Sequence, residues 1–227
     1  DLWGQENYCM IGNHAIPVLS DAILAELPDI DVEKTYRAMV ESSTRSHYNS
    51  PFEVWEKHGY MPQNLQNMSV SITLEQAFDD WCVAAVAKKL GKTADYERFH
   101  KRSESYRNLF HKESGFFRPK NDKGEWVEPF DPLSYEEPCF IEGNAWQYMW
   151  FVPHNPQGMI DLFGGTKNFI QKLDENFTLT ATSGERNGNA SGFIGQYAHG
   201  NEPSHHTVYF YNFVGKPPRT QELVHQV

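Results

Sequence analysis

Cysteine is scarce in this 227-residue chain: Cys9, Cys82 and Cys139 are an odd number, far apart, with no C-x-x-C pair. That excludes a zinc or dithiol redox motif and leaves three thiols expected to behave as small buried hydrophobes. No run of about 18 apolar residues occurs, so no transmembrane helix is expected. Residues Asp1-Leu2-Trp3-Gly4 form neither a basic nor an apolar signal region, and there is no initiator Met. Lys and Arg never form a run and the formal charge is −10, which disfavours nucleic acid or an acidic membrane as partner and favours a neutral or cationic ligand. The H-E-x-x-H pattern of metallopeptidases is missing as well.

Aromatic residues, by contrast, are abundant at 14%, with six Trp and eleven Tyr. Core packing accounts for most of such a surplus, and stacking on sugar faces is its other use. The length fits one large domain or two small ones. Periodicity is helical nearly throughout. Asp31 is placed to cap a short helix carrying Tyr36, Met39 and Val40. Residues 73–90 predict a helix with one apolar stripe, from Leu74 through Trp81 to Leu90, closed by Lys88, Lys89 and Gly91. Further helices are expected over 94–111, 165–177, 207–214 and from Arg219 onward. The Gly- and Pro-rich stretch 115–138 reads as loop with room for a small hairpin, and 184–200 as loop. The pattern is all-α, an array of paired helices joined by long loops.

Two polar clusters each follow a long loop, where binding residues tend to gather on helical scaffolds. One is Glu142-Gly143-Asn144-Ala145-Trp146-Gln147-Tyr148, and the other is Gly200-Asn201-Glu202-Pro203-Ser204-His205-His206. Glu142 follows Pro138-Cys139-Phe140-Ile141 in an apolar, tight-turn setting, where desolvation favours the protonated form that a general acid needs. From the pattern alone, the plainer reading is a structural Glu, paired to Arg or Lys or capping the next helix. Asn201 and Glu202 supply hard oxygen donors that suit Ca²⁺ rather than zinc. His205 and His206 are neighbours that project in different directions and cannot chelate one metal; the plainer reading is a helix start capped by Ser204 with one exposed His. His154 reads as a satisfied structural histidine. Asp79 and Asp80 lie inside the strongest helix, where neighbours point about 100° apart and cannot form a catalytic pair; the plainer reading makes both structural, and the alternative has one face a site while the other caps or neutralises a nearby helix or loop. Asp21, Glu26 and Glu75 have no distinguishing context. Sequons at Asn67, Asn176 and Asn189 matter only if the chain is secreted from a eukaryote.

Six blocks together resemble glycoside hydrolase family 92: Cys9-Met10-Ile11-Gly12-Asn13-His14-Ala15, Ser69 to Glu75, Phe78-Asp79-Asp80-Trp81-Cys82, Glu142 to Tyr148, Phe151-Val152-Pro153-His154 and Gly200 to His206. The resemblance implies a calcium-dependent exo-α-mannosidase, mostly α-1,2, that inverts configuration and joins a β-sandwich to an (α/α)6 barrel. It implies a mannose-containing glycan or glycoprotein N-glycan as substrate, and a periplasmic or secreted location. Carried over residue by residue, it makes Glu142 the general acid and puts Asn201, Glu202 and Gln147 at the calcium. His14, Trp146, Gln147, Glu202 and His205 then contact mannose.

The sequence departs from the family in several places. Asn155 stands where the family usually has Asp, and Asn13 where it commonly has Tyr. The D-D-x-G-x-M-S block that carries the general base, the W-D-T-x-R block and the β-sandwich are all missing from residues 1–227. The expectation is therefore an internal fragment, a partial (α/α)6 barrel that is inactive alone. The readings that compete are a non-catalytic sugar-binding or scaffold helical domain and another (α/α)6 glycosidase or lyase.

Overall fold

The structure is a computed structural model that describes residues 11–47, 50–186, 188 and 190–227. Cys9 and the sequon Asn189 lie outside the described residues. Helices dominate: α1 (Ala15–Leu24), α2 (Val32–Ser42), α3 (Phe52–His58), α4 (Ser69–Lys89) and α5 (Thr93–Ser103) come first. They are followed by a 3₁₀ turn (Ser105–Leu109) and a two-residue hairpin of β1 (Phe110–His111) and β2 (Phe116–Phe117). Next come α6 (Ala145–Tyr148), α7 (Pro156–Leu162) and α8 (Thr166–Thr178), and a second hairpin of β3 (Phe193–Ile194) and β4 (Tyr197–Ala198). Two 3₁₀ turns (Glu202–Ser204 and Thr207–Tyr209), α9 (Phe210–Phe213) and α10 (Pro217–Gln226) complete the order. The all-α expectation holds, with strands confined to the two short hairpins and isolated bridges among the described residues.

Local signals explain several boundaries. Asp31 caps α2 by accepting from the Lys34 N–H at 3.1 Å. α10 begins at Pro217, where the missing N–H costs nothing. Gly91, at φ +71°, follows the Leu90 C-cap of α4, and its N–H closes on the Lys88 carbonyl.

Helix α4 departs from the expected single stripe. It starts at Ser69, and 16 of its 21 residues are buried. Val70 and Leu74 enter one apolar cluster, Ile72 and Ala77 a second, and Val83, Ala84, Val86 and Ala87 a third shared with α1, α2 and α5. A helix buried all round cannot show one-sided amphipathicity. Its start is equally non-local: the Val70 and Ser71 N–H groups donate to the Cys139 carbonyl, and Met68 N–H to Pro138.

Other expectations need correction. The helix expected over 94–111 stops at Ser103 and gives way to the 3₁₀ turn and β1, because Phe110 pairs with Phe117. The 207–214 stretch is a 3₁₀ turn plus the four-residue α9. The 184–200 loop contains the second hairpin, turned at Gly195 (φ +63°), where a Cβ would lie 2.6 Å from the Asn176 carbonyl oxygen. Cys82 and Cys139 are buried, as expected. Asn176 is buried and closed to a glycan, whereas Asn67 is exposed.

Candidate active site

The Glu142 turn is assembled from both sides. Ile141 donates its N–H to Ser71 Oγ on α4 at 3.2 Å. Glu142 takes φ +54°, a left-handed conformation that costs a non-glycine residue about 1–2 kcal/mol. Asn144 then starts α6: its side chain accepts from the N–H groups of Trp146 and Gln147, while Gln147 Oε1 accepts from the Asn144 N–H at 3.1 Å. That reciprocal box satisfies the helix start, so the task of capping falls to Asn144 and not to Glu142. Gly143 is required by proximity, since a Cβ there would lie 2.6 Å from Gln147 Oε1. Glu142 is half-buried.

The second cluster meets this turn. Asn201, buried, donates from Nδ2 to the Glu142 carbonyl oxygen at 3.4 Å. Gln147 Nε2 donates to Tyr135 Oη at 2.7 Å and to the Gln196 carbonyl at 3.2 Å. Gln196 is a buried node whose side chain also bonds Asn144, Leu179 and Ala181. Glu202 and His205 are exposed. Ser204 lies inside a 3₁₀ turn and caps no helix, which corrects the plainer reading of this segment.

The two adjacent imidazoles do diverge. His205 Nε2 lies 2.8 Å from the His199 carbonyl, with the two rings stacked, while His206 Nε2 is 2.6 Å from the Trp150 carbonyl. Burial pushes His206 down to about 4, so it is neutral. His154 behaves alike: burial takes it to about 4, and Nε2 pairs with the Ser103 carbonyl at 3.0 Å. Trp146 is buried, edge-on to Phe116 and with Lys172 Nζ 3.6 Å from its ring centroid, so its contacts are with the core.

Next to the turn lies a group that sequence reasoning only half found. His14 Nε2 is 2.6 Å from Glu75 Oε2, and its Nδ1 is 3.8 Å from Asp79 Oδ1. Asp79 Oδ2 accepts the Asn13 N–H at 2.8 Å, and Tyr148 Oη donates to Glu75 Oε1 at 3.3 Å. Asp79 and Glu75, one helical turn apart, are both buried. The Glu75 hydrogen bond is the main cause that raises His14 to about 9, while burial raises Asp79 to about 7 against the pull of His14. Both ring nitrogens of His14 therefore face carboxylates. Because its folded value lies above 6.5, His14 stabilises the fold fully below about pH 6.5 and loses that contribution as pH rises through about 9. An NMR titration of the His14 ring in the full-length protein is expected to give a midpoint near 9, falling toward the ordinary histidine value in Glu75→Gln. An unchanged midpoint in that variant would remove Glu75 as the cause.

Asp80 points elsewhere, as the 100° offset requires. It accepts two 2.8 Å bonds from Arg102, whose guanidinium also reaches the Ser43 carbonyl and Glu56 and lies between Phe52 and Phe99.

With this geometry in hand, comparison with known proteins is decisive. The model of the glycosyl hydrolase family 92 catalytic domain matches residues 1–227. The chain belongs to that family. A family 92 α-mannosidase from Bacteroides thetaiotaomicron, solved with mannoimidazole, is 39% identical with a TM-score of 0.91, over 98% of this chain and 30% of that one. A family 92 inverting mannosidase from the same organism is 34% identical with a TM-score of 0.82, over 94% of this chain and 31% of the other. An uncharacterized secreted glycosidase of Arthroderma benhamiae is 25% identical, over 97% of this chain and 31% of that protein. This family 92 chain thus spans about 30% of the length of the relatives it matches, and its paired helices are of their (α/α)6 class.

Among the described residues of this family 92 chain, no three His, Cys, Asp or Glu side chains group to hold a metal. The oxygen donors at the Asn201 end, amide and carbonyl groups with the Glu202 carboxylate, are of the kind that would suit a hard ion such as Ca²⁺. Asn201 uses its amide nitrogen on the Glu142 carbonyl, and its side-chain oxygen is not committed by that bond. Among the described residues no helix is long and apolar enough to cross a membrane.

Proposed function

We propose that the full-length protein is a calcium-dependent, inverting exo-α-mannosidase that removes terminal mannose, chiefly α-1,2-linked, from mannose-containing glycans, N-glycans included. The observation that carries this reading is the 39% identity over 98% of the chain to an α-mannosidase bound to mannoimidazole. The secreted description of the fungal relative supports a secreted or periplasmic place of action.

Glu142 is the general acid. Its carboxyl O–H passes a proton to the glycosidic oxygen as the bond to C1 breaks, so the leaving alcohol departs neutral. A water adds to C1 from the opposite face and gives its proton to a second carboxylate, about 6.5–9.5 Å from the acid in inverting enzymes. Asn201 holds the Glu142 backbone and, with Glu202 and Gln147, would hold Ca²⁺. That ion supplies a positive charge and open coordination positions for sugar hydroxyls. Glu202 and His205, both exposed, are the groups free to touch mannose. His14 acts as counter-ion to Glu75 and Asp79, and Trp146 acts through packing.

The test is digestion of linkage-defined mannosides by the full-length protein before and after chelation. Mannose release that falls on chelation and returns with Ca²⁺ is expected, with the α-1,2 linkage cut fastest. Full activity after exhaustive chelation would overturn the calcium assignment, and release of another sugar would overturn the substrate.

A further inference from the structure

Buried Glu75 takes no direct part in the proton transfer. Glu75 sits in the middle of α4 with its two carboxylate oxygens on two partners, His14 Nε2 at 2.6 Å and Tyr148 Oη at 3.3 Å. Tyr148 is the last residue of α6, is buried, and stacks on Phe140 with ring centroids 5.7 Å apart. Its ring also lies against Gly143, where a Cβ would be 3.5 Å from it. Tyr148 therefore covers both ends of the Phe140–Gly143 turn that presents Glu142. Four residues earlier on α4, one helical turn away on the same face, Ser71 Oγ holds the Ile141 N–H at 3.2 Å. The turn is strained at Glu142, and such a conformation persists only where its surroundings over-determine it.

We propose that Glu75 is a positioning residue for Glu142: held by His14, it fixes the Tyr148 hydroxyl and so clamps the strained turn that aims the acid. The inference rests on the reading of Glu142 as the proton donor. Ser71 is the second anchor of the same clamp.

The test uses two α-mannosides and the full-length protein. One has an alkyl leaving group that needs protonation, and the other a dinitrophenolate that departs without it. Tyr148→Phe, which keeps the ring, and Glu75→Gln are each expected to lower kcat on the alkyl mannoside on the order of 10- to 100-fold, the scale of a small misplacement of a reacting group. Both are expected to leave the dinitrophenyl mannoside within about threefold, since acid catalysis is the only term they disturb. Ser71→Ala gives the same selectivity at smaller amplitude and covers the case in which a Glu75 variant fails to fold. Equal loss on both substrates, or no loss on either, overturns the positioning role. Glu142→Gln serves as the reference: if that variant itself shows no leaving-group selectivity, the acid assignment fails, and the two failures are told apart.

Discussion

Glu142→Gln in the full-length protein lowers kcat/KM on an unactivated α-mannoside by about 10²–10⁴-fold, the usual worth of one general acid. The amide keeps the size and leaves the Glu142 backbone carbonyl bond to Asn201 untouched, but it has no acidic proton. The fold is expected to be unaffected, because a half-buried side chain on a turn is exchanged for its isostere. Steady-state kinetics on methyl or disaccharide mannosides, with circular dichroism as control, checks both statements. Turnover within a few-fold of the parent would sink the assignment.

The largest stability effect is expected at the Arg102–Asp80 pair. Arg102 makes two bonds to a fully buried carboxylate and others to Ser43 and Glu56, with aromatic faces around it. Arg102→Met keeps much of the apolar stem but strands Asp80, and breaking a buried pair this way costs about 3–5 kcal/mol. Replacing both, as Arg102→Met with Asp80→Leu, recovers most of that loss, since a buried pair exchanged for apolar groups is often neutral. Urea unfolding of the four proteins of this double-mutant cycle measures the coupling. A single variant within about 0.5 kcal/mol of the parent, the usual range for surface changes, would show the pair to be slack.

How far these sites were legible depends on how local each one is. Asp31 capped its helix where the sequence said it should, because Ncap chemistry spans three residues. The divergence of Asp79 and Asp80 followed from helix geometry alone, and the structure sends one to His14 and the other to Arg102. Family blocks led to Glu142 and Asn201, which do meet. Glu75 stayed hidden because its partners, His14 and Tyr148, lie 61 and 73 positions away and no local pattern marks it. Asn144 and Gln196 were missed for related reasons, the first overshadowed by the acid beside it and the second buried in a stretch read as loop. The two hairpins are two residues long, below what alternation can signal.

Helix α4 is the shaft on which these parts are keyed. Ser71, Glu75 and Asp79 lie along one line of it, Asp80 on another, and apolar neighbours enclose most of the rest. Inserting or deleting one residue between Ser71 and Asp79 turns everything beyond it by about 100°, which uncouples the acid's turn from the His14 counter-charge. Insertions are therefore expected to be tolerated in the loops and to abolish the proton-donor geometry when placed between Ser71 and Asp79 of α4.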